Sequence, residues 1–532
     1  MQGRLALVLH AHLPFVRHPE HERFYEEQWL FEAVAECYLP LLAHMSRWTA
    51  EGLNWRLALS LTPPLCAMLD DSLLQQRIRR YLQERVELAE SEIERWHLVP
   101  PARLAAVACR DRFVEALMTW DGEGGKLLPA FRWHLEAGHL EILCCAATHA
   151  FLPFLLASPT FLKAQVELGV GEYRRHFGRL PQGIWLPECA YVPELAEVLA
   201  AAGLKWFPVE AHAFLYGRPT PLMATFRPVS LPNGLISFAR DAASARQVWS
   251  RHEGYPGDPR YREFHQDIAD HCEWGYVGRY LPGTENRVAT GLKLHRVSGP
   301  GVEKDWYDRA SALQAVQDHA AHFVAERIKA CQEAKAWLAC PPVIMAPFDA
   351  ELFGHWWHEG PEFLDAVMRR LVASDSVAPA TPGELWREKG SFETCEIAAS
   401  TWGEAGYASV WLHPANGWIQ PRLRVVEGRL VAALRGAKVA SETPNAFQTR
   451  CLNQAAREVL LAQSSDWPFL LRMGTAGDYP AKRVSDHLEA AHQLLDASTC
   501  LGAPPGGYLE ARERQYNLFP DLNAERLLGG ES

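Results

Sequence analysis

The chain has 532 residues, 48% hydrophobic and 22% charged, with 37 Gly and 36 Pro, an ordinary globular composition that excludes disorder, collagen-like repeats and coiled coil as the main architecture. Lys and Arg number 53 against 64 Asp and Glu, a formal charge of −11 with no concentrated basic run, which argues against counterion-release binding to nucleic acid. The outlying count is 19 Trp beside 22 His; indole rings suit both core filling and stacking on sugar rings, so position has to decide between them.

Apolar runs are short. Leu5 to Leu9 is too brief for a signal segment, and no stretch approaches the roughly 18 apolar residues of a membrane span, so a cytoplasmic protein with no membrane partner is expected. The 12 cysteines form no CxxC pair and no zinc-finger spacing, which points to buried free thiols in a reducing compartment.

Taken in chain order, seven apolar runs each end in a polar or ionisable residue. Leu5 to Leu9 leads into His10 and His12, Arg56 to Leu61 into Thr62, and Leu140 to Ala147 into Thr148 and His149. Gly183 to Leu186 leads into Glu188, Leu204 to Val209 into Glu210 and His212, Leu235 to Ala239 into Arg240 and Asp241, and Val343 to Phe348 into Asp349 and Glu351. Amphipathic helical stretches, among them Glu84 to Trp96, Pro193 to Ala202 and Ser311 to Ala336, lie between several of them. Strands alternating with helices imply a parallel sheet, and polar residues collected at strand ends imply a β/α barrel; seven strands make it an incomplete one. Short apolar runs do not by themselves separate strand from buried helix, so one or two of the seven are expected to be helical.

Two regions depart from the alternation. Trp249 to Tyr307 is rich in Gly, Pro, Tyr and Arg and reads as a long loop system with aromatics to bury. Beyond about Ser391 the pattern becomes helical, over Pro421 to Val439, Asn445 to Gln463 and Tyr479 to Ala497. The expected organisation is an α/β barrel domain over residues 1–390, with insertions near 80–130 and 250–305, followed by a helical C-terminal domain over 391–532 that contributes to the cleft.

Three segments carry candidate chemistry. Glu188 stands at a strand end among Trp185, Pro187 and Tyr191, a rigid aromatic setting for a nucleophile, although a strand-end Glu that caps the next helix has the same signature. Asp349 opens the densest cluster, with Glu351, Gly354, His355, Trp356 and Trp357 close behind. A carboxyl beside apolar rings loses hydration and is raised towards use as a general acid, and with Glu188 it would complete the two-carboxylate apparatus of glycoside cleavage; a salt-bridged loop is the plainer alternative. His10 and His12 end the first strand as an HxH. That arrangement also begins metal-dependent hydrolase sites, for which His149 and His212 could supply further ligands, while neutral imidazoles equally suit sugar hydroxyls.

The segments HAHLPF at His10, GHLE at Gly138, WLPECAY at Trp185, PFDAELFGHWWHEG at Pro347 and STWGEAGYASVWL at Ser400 resemble, in order, the five signature regions of glycoside hydrolase family 57. EEQWLFEA at Glu26, ATHAFLP at Ala147, QVWS at Gln247, YREF at Tyr261 and AQSSDWPF at Ala462 extend the resemblance over nearly the whole chain, closest to the family's α-1,4-glucan branching enzymes and the amylase-like proteins grouped with them. The resemblance implies an incomplete seven-stranded β/α barrel with a helical C-terminal domain, an α-glucan substrate, and a retaining mechanism with no catalytic metal and no cofactor. It assigns Glu188 as nucleophile and Asp349 as acid/base. It also places Trp29, Trp249, Trp402, Trp411 and Trp467 along the glucan cleft, with His10, His12, His149, Arg240 and Asp466 around the cleaved sugar. By this reading, the tryptophans at 29, 185, 249, 356, 357, 402, 411 and 467 are mainly groove wall.

One segment departs from the family pattern. Branching members carry a longer loop bearing a tyrosine that shields the glycosyl-enzyme from water, whereas here 216–237 is short, Phe226 aligns best with that tyrosine, and Tyr216 is the only tyrosine in it. A weakened lid would favour hydrolysis, so an α-amylase remains the alternative to a branching enzyme, with a metal-dependent hydrolase using His10 and His12 as a remote third.

Overall fold

The computed structural model describes residues 2–250, 253–283, 287–299, 304–388, 392–439, 445–499 and 506–528. Ten strands are present among the described residues: β1 (Gly3–Ala11), β2 (Leu57–Leu61), β3 (Leu140–Cys145), β4 (Ile184–Trp185), β5 (Trp206–Val209), β6 (Val229–Ser230), β7 (Ile236–Ala239), β8 (Val343–Asp349), β9 (Val377–Pro379) and β10 (Glu393–Thr394). All seven expected runs are strands and none is a buried helix. β6, β9 and β10 are two or three residues long, too short to show a period in sequence.

Two parallel ladders, β4-β3-β2-β1-β8 and β5-β7, are joined by parallel bridges at Gly183–Trp206 and Arg240–Met345. The result is a ring of seven parallel strands. The barrel is incomplete because β9 pairs only with Gly3–Leu5 of β1, while β2 takes Val8–Ala11 of the same strand. Both faces of such strands are covered, which explains why β1 is buried at eight of its nine positions and shows no polar alternation.

Parity along the strands sets the site. Ala6 and Val8 of β1, Ala58 of β2, Leu143 and Cys145 of β3, Trp185 of β4, Trp206 of β5, Ile236 and Phe238 of β7, and Val343 and Met345 of β8 pack together as one cluster inside the ring. Leu5, Leu7 and Leu9 belong to the larger core that meets the surrounding helices. Because side chains alternate, the next residues on the inner face are His10 and His12, Ser60 and Thr62, Glu210, Arg240 and Asp349. The register agrees, with His10 opposite Ser60 on one side and Asp349 on the other.

Helices Ser72–Arg95 and Pro100–Gly122 fill the chain between β2 and β3, and Arg309–Lys335 precedes β8. The described residues between 253 and 308 are mostly irregular with short helical turns, and Tyr255, Tyr261, Tyr280 and Tyr307 are all buried, as their concentration there anticipates. The C-terminal region is helical, over Ile419–Val439, Ala446–Ala462, Asp466–Met473 and Tyr479–Ser498. The expected boundary at 390/391 lies outside the described residues. Of the cysteines, Cys500 is not described; the other eleven are free thiols, all buried except the half-buried Cys340. No helix among the described residues is long and apolar enough to cross a membrane.

Close backbone approach behind the site gives a direct test. In the helix Pro159–Phe177, a Cβ added at Gly169 would stand 2.0 Å from the Cys145 carbonyl oxygen of β3, whereas one at Gly171 meets nothing within 4 Å. Gly171→Ala is expected to stabilise by about 0.5–1 kcal/mol through helix propensity, and Gly169→Ala to destabilise by about 1–3 kcal/mol through overpacking. Denaturant unfolding of the two variants checks the contrast.

Candidate active site

Glu188 follows β4 in a left-handed backbone conformation (φ 61°), and His149, on the loop after β3, is left-handed as well (φ 57°). Both cost strain for a non-glycine residue and both turn their side chains into the ring mouth, where such strain is characteristic of functional sites. The Glu188 carboxylate accepts the Trp402 indole N–H on Oε2 at 3.0 Å and the Ser465 hydroxyl on Oε1 at 2.8 Å. Burial pushes its pKa up, and the two donors, which favour the charged form, work against that rise.

Asp349 ends β8, and its carboxyl group has no hydrogen-bond partner among the described residues. Burial, then the neighbouring charges of Glu351 and Glu188, drive its pKa well above the ordinary carboxyl value, with Arg240 pulling the other way. Arg240 donates to Glu210 at 3.0 Å and lies over the Trp402 ring, 5.6 Å from its centroid. Both carboxyls are raised by burial, but only Glu188 has donors that favour its charged form, whereas Asp349 faces like charges that favour its proton, an inequality of the kind an acid and a nucleophile need.

The three histidines interlock. His10 stacks on Trp185 (4.7 Å between centroids), its Nδ1 lies 3.2 Å from Ser60 Oγ, and its Nε2 lies 2.9 Å from His149 Nε2. His149 Nδ1 is 2.8 Å from Ser465 Oγ. Burial pushes both imidazoles well below their usual pKa, so both are neutral. His12 differs: its Nδ1 meets Thr62 Oγ1 at 3.0 Å and its Nε2 meets Asp466 at 3.0 Å. Burial opposes charge there, but the Asp466 carboxylate outweighs it and raises the imidazole, while Asp466, against its own burial, is held at about 2.

His12, His149 and Asp466 have donor atoms within 4.8 Å of one another, the one such group among the described residues. Their donors are already engaged, His12 with Asp466 and His149 with His10 and Ser465, so a cation there would have to displace an ion pair and a hydrogen bond. His212 stands apart from the cluster, packed where a Cβ on Gly406 (φ 78°) would meet its ring at 2.6 Å.

The tryptophans divide differently from the sequence expectation. Trp402 touches Glu188 and Arg240 directly. Trp29 is half-buried against Tyr479, and Trp249 is exposed and paired with Trp356 at 5.6 Å. Trp185, Trp357, Trp411 and Trp467 are buried, and Trp467 donates its indole N–H to the Leu461 carbonyl, which makes it a packing residue behind the cleft. Phe226 lies at the other end of the barrel: its carbonyl accepts the N–H of Val343, the first residue of β8, and its ring meets Trp337. It is not a lid position. Tyr216, 74% exposed, ends the short helix Ala211–Leu215 after β5.

Several contributors escaped the sequence reading. Ser465 is the clearest, because a serine carries no signal of its own and its role appears only when the C-terminal region is docked. Glu351 was visible beside Asp349 but had no assigned partner; it accepts the Tyr38 hydroxyl and the His12 N–H (3.1 Å). Tyr38 sits in a π-helical turn, Val34–Tyr38, a local irregularity common at functional sites.

Comparison with known proteins identifies the family. Residues 6–394 match the family described as glycosyl hydrolase family 57. The chain belongs to glycoside hydrolase family 57. Residues 428–526 match the C-terminal region described as that of 1,4-alpha-glucan branching enzymes. A probable 1,4-alpha-glucan branching enzyme of Mycobacterium tuberculosis is 31% identical over 548 residues, covering 99% of this chain and 98% of the relative. Among solved structures, the alpha-amylase AmyC from Thermotoga maritima superposes with a TM-score of 0.91 at 36% identity, covering 99% of both chains. The family 57 branching enzyme from Pyrococcus horikoshii gives 0.88 at 31% identity, covering 100% of this chain and 98% of the other. The family 57 fold of incomplete barrel and helical C-terminal region is thus shared along the full length.

The electrostatics of this family 57 site can be tested at Glu351. Its charge helps to keep the proton on Asp349, so Glu351→Gln is expected to lower the Asp349 pKa and move the alkaline limb of the kcat/KM profile to lower pH. A pH–rate profile of the two proteins gives the direction.

Proposed function

We propose that the protein is a retaining α-1,4-glucan-active enzyme with Glu188 as nucleophile and Asp349 as acid/base, and that its reaction is transfer of α-1,4 chains to glucan 6-hydroxyls. The observation that carries the mechanism is the unequal treatment of the two carboxylates, Glu188 with two donors and Asp349 with none. Glu188 attacks the anomeric carbon as protonated Asp349 gives its proton to the departing glycosidic oxygen, forming a covalent glycosyl-enzyme. Deprotonated Asp349 then takes the proton of the acceptor hydroxyl, which attacks the anomeric carbon and frees Glu188. Trp402, Arg240 and the histidine cluster line this centre. Trp29 and the Trp249–Trp356 pair offer flat surfaces farther along an α-glucan chain.

Transfer to a 6-hydroxyl is favoured by the branching-enzyme relatives and by the branching-enzyme C-terminal match. The second reading, α-amylase hydrolysis, draws on the Thermotoga amylase and on the position of Phe226 at the far end of the barrel, which leaves Tyr216 as the only tyrosine of its segment. Incubation with amylose, counting α-1,6 linkages against new reducing ends, separates them. Branching predicts linkages in excess of reducing ends, and reducing ends alone would establish the amylase.

Glu188→Gln is expected to lose on the order of 10⁴-fold or more in kcat for either reaction, and full retention of rate would remove the mechanism. Because the donors of His12, His149 and Asp466 are engaged with one another, prolonged chelation is expected to leave the rate unchanged. Activity lost on chelation and restored by stoichiometric zinc would instead favour the metal-hydrolase reading.

A further inference from the structure

We propose that Ser465, supplied by the C-terminal region, is a positioning residue for the nucleophile, and that its own orientation is set by a one-way chain of hydrogen bonds running from Ser60 through His10 and His149. The inference rests on the reading of Glu188 as nucleophile.

The direction of the chain follows from counting protons. An ionised carboxylate only accepts, so the 2.8 Å contact between Ser465 Oγ and Glu188 Oε1 uses the single hydroxyl proton of Ser465. Ser465 Oγ must then accept from His149 Nδ1, 2.8 Å away, which makes His149 the Nδ1–H tautomer. Its Nε2 is left with a lone pair, and the 2.9 Å approach of His10 Nε2 is attractive only if His10 carries its proton there. His10 Nδ1 is then an acceptor, served by the Ser60 hydroxyl at 3.2 Å. A second proton on His149 would set two N–H groups face to face, and burial disfavours a second proton on either ring. His12 cannot substitute in the chain, since its nitrogens are taken by Thr62 and Asp466.

The arrangement links the two ends of the chain. Ser60 belongs to β2, whereas Ser465 lies between the helices Ala446–Ala462 and Asp466–Met473. It is fixed there by its own N–H donated to the His149 carbonyl at 3.0 Å and by the antiparallel bridge between Ala150 and Ser464. Trp402 holds one carboxylate oxygen and Ser465 the other, so the plane of Glu188 is defined only when the C-terminal region is docked. The same donor also stabilises the charge that returns to Glu188 as the glycosyl-enzyme breaks down.

Ser465→Ala removes one donor to a charged group and is expected to lower kcat/KM about 10- to 100-fold. It is also expected to move the acid limb of the pH profile to higher pH, because that donor favours ionised Glu188. The other ionisable groups facing Glu188 are His12, His149, Asp466, Asp349 and the thiols of Cys145 and Cys189; the substitution replaces none of them, and of these His149 alone loses a hydrogen-bond partner to it, the Ser465 hydroxyl. Ser465→Thr, which keeps a hydroxyl, is expected to restore both rate and limb. ¹⁵N-histidine NMR of the unsubstituted full-length protein should show His149 protonated at Nδ1, a reading that does not depend on the variant folding. An unshifted limb with a rate within threefold, or His149 protonated at Nε2 alone, would overturn the proposal. Glu188→Gln measured alongside separates the two levels: if it is active the nucleophile reading itself fails, and if it is inactive while Ser465→Ala is unaffected only the positioning role fails.

Discussion

The register of β1 is the constraint on which the site depends. His10 pairs across β1 with Ser60 and with Asp349, so a hydroxyl, an imidazole and a carboxyl stand at one level of the ring. A slip of one residue would turn all of the inner-face groups of β1 outward and bring Leu9 inward, and the buried inner cluster of Ala6, Val8, Met345 and Trp185 resists such a slip by packing alone. The chemistry therefore inherits its precision from apolar residues that take no part in it, as in other barrels whose strand ends carry the site.

Above that level, function comes from unequal environments. Glu188 and Asp349 are both withdrawn from water, where an unpaired charge is expensive, yet only Glu188 receives donors. Asp349 instead faces Glu351 and Glu188, which together with burial drive its pKa well above the ordinary carboxyl value. The His12–Asp466 pair adds a balanced ion pair beside them, and the neutral His10 and His149 carry hydrogen bonds without adding charge. The C-terminal region is part of this arrangement, since Ser465 and Asp466 both come from it.

Much of this was legible in the sequence, for identifiable reasons. Seven apolar runs ending in polar residues gave the barrel, because both faces of its strands are covered and the pattern changes abruptly at the mouth. Glu188, Asp349, Trp402 and the three histidines could be singled out because their motifs are dense and ordered, and Arg240 because it ends an apolar run at a position the family resemblance implies. Indole rings were harder to place: Trp467 and Trp411 lie in the same motifs as cleft residues but are buried, and no local pattern distinguishes a ring facing a groove from one packed behind it. Phe226 was misplaced for a related reason, since length alone cannot say to which end of a barrel a short connection returns. Ser465 lies within the quoted AQSSDWPF segment but drew no assignment, because a serine names no chemistry until its partners, 316 and 277 residues away along the chain, are brought to it.

The most direct measurement is covalent trapping. A 5-fluoroglycosyl fluoride of α-glucose configuration slows breakdown of a glycosyl-enzyme more than its formation, and peptide mass spectrometry of the treated protein then locates the adduct. A single glycosyl ester on Glu188, absent from Glu188→Gln and broken down more slowly in Asp349→Asn because fluoride leaves without a proton donor whereas the acceptor still needs a base, is the predicted result. An adduct on another residue, or turnover to products of inverted configuration with no adduct, would contradict the double-displacement mechanism and the roles given to both carboxylates.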